Sequence, residues 1–294
     1  MPSIKSVNKQ AASPALKSVK PTISATPKKR SINESSSNKS ESNAENPAEF
    51  LDLKQALVPQ MFSKRFTKQF YLDEVHKPKF IKGSALFFNQ PYLEMFTRTA
   101  WYVVPLFWGP VVMLHMAAAI EDFSGSNQAA IGCASLVVLG LFAWTILEYV
   151  FHRFLFHMEK ALPSHQYAYA VHFLLHGVHH FLPMDRMRLV MPPILFAFLS
   201  AGPYALFRAL LGQKYLNPLY SGVVTAYIGY DLCHYFFHHG VSRFSVVNMM
   251  KSYHMAHHYK DYNKGYGVTS MLWDLVFHTT FDYSKVQLNF KAAQ

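Results

Sequence analysis

The sequence predicts an all-α integral membrane protein, with four transmembrane helices in two hairpins and a cytosolic helical cap rich in histidine. Two observations support this prediction. Hydrophobic residues make up 51% of the chain, whereas charged residues make up only 15%. Of the 16 histidines, ten fall in four short clusters at or between long apolar stretches. Apolar stretches of this length are typical of membrane helices, and the clusters indicate a shared site.

Composition divides the 294 residues into three regions. Residues 1–48 are polar and basic with almost no large apolar side chains, which predicts a disordered cytosolic tail. Residues 49–98 mix aromatic with basic side chains and are predicted to form a cytosolic or interfacial segment. Residues 99–294 are predicted to form the membrane domain. The net charge of +11 favours an anionic membrane surface over nucleic acid, because nucleic-acid modules are rarely so apolar.

Four apolar stretches each approach the ~20 residues that a spanning helix needs. They lie near 99–120, 129–151, 189–211 and 219–237. A short acidic loop separates the first two, and 212–218 is predicted to be a hairpin turn between the last two. In this arrangement Arg208 and Lys214 are the only basic residues on the far side of the membrane. The positive-inside rule therefore predicts that both termini and residues 151–188 are cytosolic.

The spacing of the clustered histidines predicts that their rings converge. Residues three or four apart share one face of a helix, so each of the two HxxHH triplets is predicted to point at one place. His152 and His157 are five apart, which predicts that they straddle a bent helix end. The ten histidines are His152, His157, His176, His179, His180, His234, His238, His254, His257 and His258.

Ten imidazoles at one membrane face exceed what a single metal ion can bind, so the sequence predicts a dimetal site. Imidazole binds Fe, Zn, Cu and Ni, and ligand type alone does not select the metal. Zinc would favour hydrolysis, for which the chain shows no obvious nucleophile motif. Redox iron that activates dioxygen suits a site supplied from lipid.

Three further residues are predicted to assist the metal ligands or the substrate. Glu148 lies four residues before His152, and Asp231 lies three before His234, next to Tyr230. A carboxylate that accepts the distal N–H of a ligand would fix its tautomer and orientation. Tyr230 and Asp231 could also hold the polar end of a lipid.

Several stretches resemble the fatty acid hydroxylase superfamily, and in particular the fatty acid 2-hydroxylases of sphingolipid metabolism. They are residues 148–157 (EYVFHRFLFH), 172–193, 230–239 (YDLCHYFFHH) and 253–259 (YHMAHHY). The resemblance covers roughly 50–294. HxxHH alone is shared with sterol oxidases and desaturases, whereas the surrounding residues are more specific.

The resemblance implies a reaction, a metal centre and a location. The ten histidines would bind two iron ions, with zinc possible in isolated protein, and dioxygen would be the co-substrate. The reaction would be 2-hydroxylation of a long or very long acyl chain, free or within ceramide. The endoplasmic reticulum membrane is the implied location.

The resemblance also implies electron donors. Many relatives carry a cytochrome b5 domain with an HPGG haem motif, which this sequence lacks, so no haem is expected in this chain. Electrons are expected from a separate cytochrome b5 and its reductase. Basic residues such as Lys64, Arg65 and Lys68 could attract the acidic surface of that partner.

Two alternatives remain from the sequence. The first is another oxidase of the superfamily, namely a sterol C-4 oxidase, a sphingoid hydroxylase or a desaturase. The second is a membrane metal transporter or storage protein. Transporters usually place ionisable ligands at mid-membrane, whereas these histidines lie at one surface.

Overall fold

The computed structural model describes residues 49–281, and within this range the regular secondary structure is entirely helical. The predicted tail at 1–48 and the end of the predicted membrane domain, 282–294, lie outside the described residues. The helices are α1 (Leu57–Ser63), α2 (Lys68–Val75), α3 (Pro91–Glu94), α4 (Val103–Asp122), α5 (Asn127–Val150), α6 (Gln166–His172), α7 (Val178–Phe181), α8 (Pro193–His239), α9 (Ser245–Tyr259) and α10 (Leu272–Val276). Two π-helical segments, Phe151–Phe156 and Phe173–Gly177, follow α5 and α6.

Three of the described helices are long and apolar enough to cross a membrane. They are α4, α5 together with its π-helical continuation, and α8, with 20, 30 and 47 residues. The predicted acidic loop after the first span is wrong in part, because both acidic residues lie in the last turn of α4. Ser126 caps the start of α5. Its hydroxyl accepts a hydrogen bond from the Ala129 amide and so satisfies a free donor of the first turn.

The helix α8 is a hairpin, because it folds back on itself at Gly212. The rings of Phe196 and Tyr227 stack with centroids 3.7 Å apart, although about 46 Å would separate them on a straight helix. Gly212 has φ 74° and ψ 160°, a conformation that glycine adopts readily because it has no Cβ. The predicted turn at 212–218 is therefore too long, since the chain is helical again directly after Gly212.

The first half of α8 starts later than predicted. Pro193 occupies the first turn, where its fixed φ suits a helix start and its missing N–H costs nothing. Residues 189–191 precede the helix and are non-helical, which leaves their backbone groups available to other elements.

The helices α5 and α8 cross with their backbones in contact. A Cβ added at Gly140 would lie 2.2 Å from the Leu219 carbonyl oxygen, and one at Gly222 would lie 2.2 Å from the Val137 carbonyl oxygen. Small residues at such crossings let membrane helices approach closely. Buried aromatic rings of α4, α5 and α8 form a core that includes Trp108, Trp144, Phe196 and Tyr227.

A second core lies outside the three long apolar helices. Buried apolar residues of α1 and α2 pack with those of α6 and α7, with α1 against α6 and α2 against α7. We call these packed helices, α1, α2, α6 and α7, the cap. Along the chain, α6 and α7 follow the π-helical end of α5. The histidine clusters lie where the cap meets α5 and α8.

Candidate metal centre

The structure brings the ten predicted histidines together in two groups of five. The first histidine group consists of His152, His157, His176, His180 and His257. The second histidine group consists of His179, His234, His238, His254 and His258. Within each group the candidate ligand atoms lie within 4.8 Å of one another, and each histidine is at most 8% exposed. The two groups adjoin, with the rings of His180 and His258 4.5 Å apart.

The two HxxHH motifs are divided between the groups. In the first motif His176 and His180 belong to the first histidine group, whereas His179 belongs to the second. The second motif divides in the same manner, with its outer histidines in the second group and its middle histidine in the first. Neighbouring residues of a helix point about 100° apart, so adjacent histidines face different centres. The prediction that each triplet points at one place is therefore wrong, and the two groups interlock.

A π-helical turn aligns the pair that is five residues apart. The His157 amide donates to the His152 carbonyl at 3.0 Å, which is the i to i+5 bond that defines a π-helix. This turn, rather than a simple bend at the helix end, brings both rings into the first histidine group. A second π-helical segment, Phe173–Gly177, carries His176. Such segments occur frequently at functional sites.

The distances between ring nitrogens fit metal coordination. In the first histidine group His157 Nε2 lies 3.0 Å from His257 Nε2, and His180 Nε2 lies 3.1 Å from His176 Nε2. In the second group the corresponding distances are 2.9 to 3.1 Å. Two nitrogens bound to one ion at about 2.1 Å and at right angles lie about 3.0 Å apart. Each group therefore fits one imidazole-bound transition-metal ion.

Burial keeps these rings in the form that binds metal. Burial, reinforced by neighbouring histidines, lowers the pKa of every histidine in the two HxxHH motifs well below its ordinary value. The rings are therefore neutral near pH 7. Neutral imidazole is the form that coordinates a metal ion.

Backbone carbonyls of one loop orient two members of the first histidine group. The Nδ1 atom of His152 lies 2.5 Å from the Tyr266 carbonyl oxygen, and that of His257 lies 2.7 Å from the Lys264 carbonyl oxygen. Each ring donates its Nδ1–H to the carbonyl, which leaves Nε2 free for a metal. Such outer partners fix the tautomer and raise the basicity of the ligand.

A carboxylate that sequence reasoning missed orients a third member of this group. Glu159 accepts from Nδ1 of His157 at 2.8 Å and lies 3.3 Å from Nε2 of His76. Nε2 of His172 lies 3.6 Å away, and the other nitrogen of that ring contacts the Tyr71 hydroxyl at 2.7 Å. Although burial opposes ionisation, the surrounding histidines hold the pKa of Glu159 below its ordinary value. Its position two residues after a clustered histidine was the available signal.

The second histidine group has fewer outer partners. His234 donates through Nδ1 to the Leu189 carbonyl at 3.1 Å. For three other members, Nδ1 has no hydrogen-bond partner among residues 49–281. They are His179, His254 and His258.

The predicted direct contacts of Glu148 and Asp231 with histidine are wrong. Glu148 accepts instead from the amides of Val268 and Thr269, at 2.6 and 2.8 Å. His152 donates its Nδ1–H to the Tyr266 carbonyl instead. These carboxylates bind backbone because nearby non-helical segments present amides that no helix satisfies.

Asp231 and Tyr230 contact the surroundings of the second histidine group. Asp231 accepts from the Met191 amide at 3.2 Å, next to the carbonyl that receives His234. The Tyr230 ring stacks on that of His234, with centroids 5.9 Å apart. Their predicted roles towards ligand or substrate stay predictions.

Comparison with known proteins agrees with this geometry. The family model for fatty acid hydroxylases matches residues 137–279, which contain all ten clustered histidines. The chain is also 36% identical to the dihydroceramide fatty acyl 2-hydroxylase FAH1 of Arabidopsis thaliana, over 78% of this chain and 92% of the relative. The chain belongs to the fatty acid hydroxylase family. Its resemblance to that family, expected from the histidine-bearing stretches, is confirmed.

Two fungal relatives are longer than this chain. It is 46% identical to a ceramide very long chain fatty acid hydroxylase of Saccharomyces cerevisiae, over 78% of this chain and 58% of the relative. The corresponding protein of Schizosaccharomyces pombe is 43% identical over 78% and 65%. The chain therefore spans about three fifths of the length of these two relatives.

A solved structure shares the fold. The structure of full-length scs7p, in which only the hydroxylase domain is visible, superposes with a TM-score of 0.74 at 46% identity. The superposition covers 79% of this chain and 86% of that one. The helical, histidine-rich fold is therefore that of the hydroxylase domain.

Proposed function

We propose that this chain is a membrane-bound oxidoreductase that hydroxylates carbon 2 of a long or very long fatty acyl chain, with ceramide or a related sphingolipid as substrate. The observation that carries the proposal is the pair of buried five-histidine groups next to apolar helices. Relatives named as ceramide fatty acid hydroxylases and dihydroceramide fatty acyl 2-hydroxylases support the substrate class.

The proposed topology has four spans and a cytosolic cap. The two halves of α8, 193–211 and 213–239, would each cross the bilayer, together with α4 and α5. The distribution of Lys and Arg supports a cytosolic position for the cap, both termini and the histidines. The endoplasmic reticulum membrane is the proposed location.

The proposed cofactor is a pair of iron ions, one in each histidine group. When bound, they would supply the activation of dioxygen that the oxidation of an inert C–H bond requires. The chain contributes neutral, pre-oriented imidazoles and a site buried from bulk water. Zinc also accepts imidazole ligands, so metal analysis of isolated protein would identify the bound ion without identifying the active one.

The selection of carbon 2 requires that the polar end of the lipid be fixed. Tyr227, Tyr230 and Asp231 lie on the half of α8 that carries His234, at the end near the metal ligands. In the proposed arrangement these polar groups hold the head of the substrate, so that the carbon next to the carbonyl lies closest to the metals.

The proposed electron donors are a separate cytochrome b5 and its reductase. Of the basic residues expected to attract this partner, Lys64 and Lys68 donate hydrogen bonds to the carbonyls of Phe50 and Leu162, so reversing their charge would also disturb the fold. Arg65 is exposed. Arg65→Glu should slow reduction by soluble cytochrome b5 at low salt, and an unchanged rate would exclude this docking position.

The deciding experiment measures the product. Purified protein loaded with iron and supplied with cytochrome b5, its reductase and a ceramide should form a 2-hydroxyacyl product, identified by mass spectrometry. His179→Ala, with one imidazole of the second histidine group removed, should form none. Products altered in a sterol or in the sphingoid base would support another oxidase of the superfamily. Metal flux across vesicles without lipid oxidation would support a transporter.

A further inference from the structure

A loop at 264–269 contains an unusual run of backbone hydrogen bonds. Four consecutive amides in this loop donate to two buried carboxylates. Asp274 accepts from the amides of Tyr266 and Gly267, at 3.0 and 2.8 Å. Glu148 accepts from the next two amides along the chain, at 2.6 and 2.8 Å. Asp274 is 0% exposed and Glu148 is 4% exposed, so water does not compete for these bonds.

The same loop orients the first histidine group. Its carbonyls at Lys264 and Tyr266 receive the Nδ1–H groups of His257 and His152. The amides of the loop therefore face the two carboxylates while its carbonyls face two proposed metal ligands. Because all four amides have a buried acceptor on one of these two side chains, Asp274 and Glu148 fix the position of the loop.

Close packing leaves the loop little freedom to move. Gly265 has φ +72°, and a Cβ there would meet the Phe281 ring at 2.4 Å. A Cβ at Gly267 would lie 2.0 Å from the Ser270 carbonyl oxygen. Both glycines are thus required where they stand.

The two carboxylates tie the loop to separate helices. Glu148 lies on α5, four residues before His152, while Asp274 lies on α10. Asp274 also accepts from the Thr279 hydroxyl at 2.7 Å, which holds the end of the described chain against the loop. The position of the two carbonyls is therefore set from both sides.

We propose that Asp274 and Glu148 are positioning residues for metal binding in the first histidine group. They act through the loop at 264–269, whose carbonyls orient His152 and His257. This inference rests on the proposed function only in requiring that a metal ion occupies that group.

The amide variants Asp274→Asn and Glu148→Gln test the inference. A side-chain amide has one acceptor oxygen and one NH2 group in place of two acceptor oxygens. The two amides on Asp274 donate to different oxygens, so in Asp274→Asn one backbone N–H faces the NH2 group and its hydrogen bond is lost. The two amides on Glu148 share Oε1, so Glu148→Gln keeps an acceptor for both and replaces only the oxygen that accepts from the Thr269 hydroxyl. Side-chain volume is kept in both variants. The loop and its two carbonyls then become less ordered.

The measurement uses purified full-length protein in detergent, loaded with Co²⁺ as the probe. Visible absorption reports the coordination of the bound cobalt, and a competing chelator removes it over time. Asp274→Asn should release one of two cobalt ions about 10- to 100-fold faster than wild type, the range found for loss of outer-shell partners. Glu148→Gln should speed release of the same ion by a smaller factor. The second ion should leave at the wild-type rate, and the absorption of the first should shift.

Glu94→Gln is the matched control. Glu94 is buried and accepts from two consecutive amides, those of Phe87 and Phe88, at 2.6 and 2.7 Å. It is not a member of the described metal-binding groups. This variant should lower the melting temperature without changing cobalt release or absorption.

If the Asp274 and Glu148 variants do not fold, Thr269→Val provides a milder change. It removes only the hydroxyl hydrogen bond to Glu148 and should speed release of the same ion about threefold, below the range for a direct outer partner. Variants that release both ions faster together, or neither, would overturn the inference. Failure to hydroxylate ceramide with normal cobalt behaviour would instead reject the proposed function alone.

Discussion

The two histidine groups offer the same number of ligands but differ in what surrounds them. In the first group three of the five rings are held through Nδ1, two by loop carbonyls and one by Glu159. In the second group His234 is held by the Leu189 carbonyl, and three other members have no such partner in the described part of the chain. Outer partners raise ligand basicity and metal affinity. We therefore expect equal ligand sets to form unequal sites, with the first group binding a metal ion more tightly.

The largest effect is expected from removing one ligand in each group. His180→Ala and His258→Ala should each reduce the metal content from two ions to about one. Hydroxylation should fall by more than about 100-fold, because loss of a ligand exceeds the effect of losing an outer partner. Metal analysis of the pure protein measures the metal content, and product analysis measures hydroxylation. Loss of both ions from either variant would show that the groups form one cooperative site and would contradict their treatment as two separate sites.

A smaller effect is expected from changing Glu159, the carboxylate that orients His157 of the first histidine group. Glu159→Gln keeps an acceptor near His157 but removes the negative charge. We expect affinity at this group to fall about 10- to 100-fold, measured by competition with a chelator of known affinity. Asp73→Asn, at an exposed carboxylate on α2, is the control. Equal affinities in Glu159→Gln and wild type would contradict the assigned role.

The expected difference in metal affinity between the two histidine groups should also be measurable in the wild-type protein. With a chelator in excess, metal release should be biphasic, with rates about tenfold apart, the lower end of the outer-partner effect. The fast phase should come from the second histidine group and should be missing in His258→Ala. A single phase for both ions would contradict the comparison.

The smallest effect is expected at Asp231. Asp231→Asn weakens the hold on the Met191 amide and so on the segment that carries the Leu189 carbonyl. Asp231 affects His234 only through this segment and does not contact it directly. Metal release from the second group should therefore accelerate only about threefold, less than loss of a direct partner would cause. The slow phase should not change, and an equal effect on both phases would indicate general loosening of the fold.

Local patterns in the sequence predicted the long apolar helices and the identity of the clustered histidines. Apolar runs specify spanning helices because the bilayer thickness fixes their length. The spacing of HxxHH places histidines on nearby positions of a helix without reference to the rest of the chain. These features depend on short-range geometry alone.

The division of the histidines and their outer partners depended on distant contacts. The helix turns His179 and His180 in different directions, but the group that His179 joins is completed only by histidines of α8 and α9. Glu148 binds Thr269, 121 residues later, and no helical offset could indicate that partner. The π-helical turn before His157 replaces an ordinary helix end, and the five-residue spacing was its only signal.

The crossing at Gly140 and Gly222 has a consequence far from where it lies. Gly140 precedes His152 by as many residues as Gly222 precedes His234, about 18 Å along each helix axis. Beyond this contact, α5 leads to His152 and His157 of the first histidine group, and α8 ends with His234 and His238 of the second. A contact between bare backbones thus helps to set the separation of the two histidine groups. A family member with the same ten histidines but bulkier residues at this contact would hold its metals farther apart.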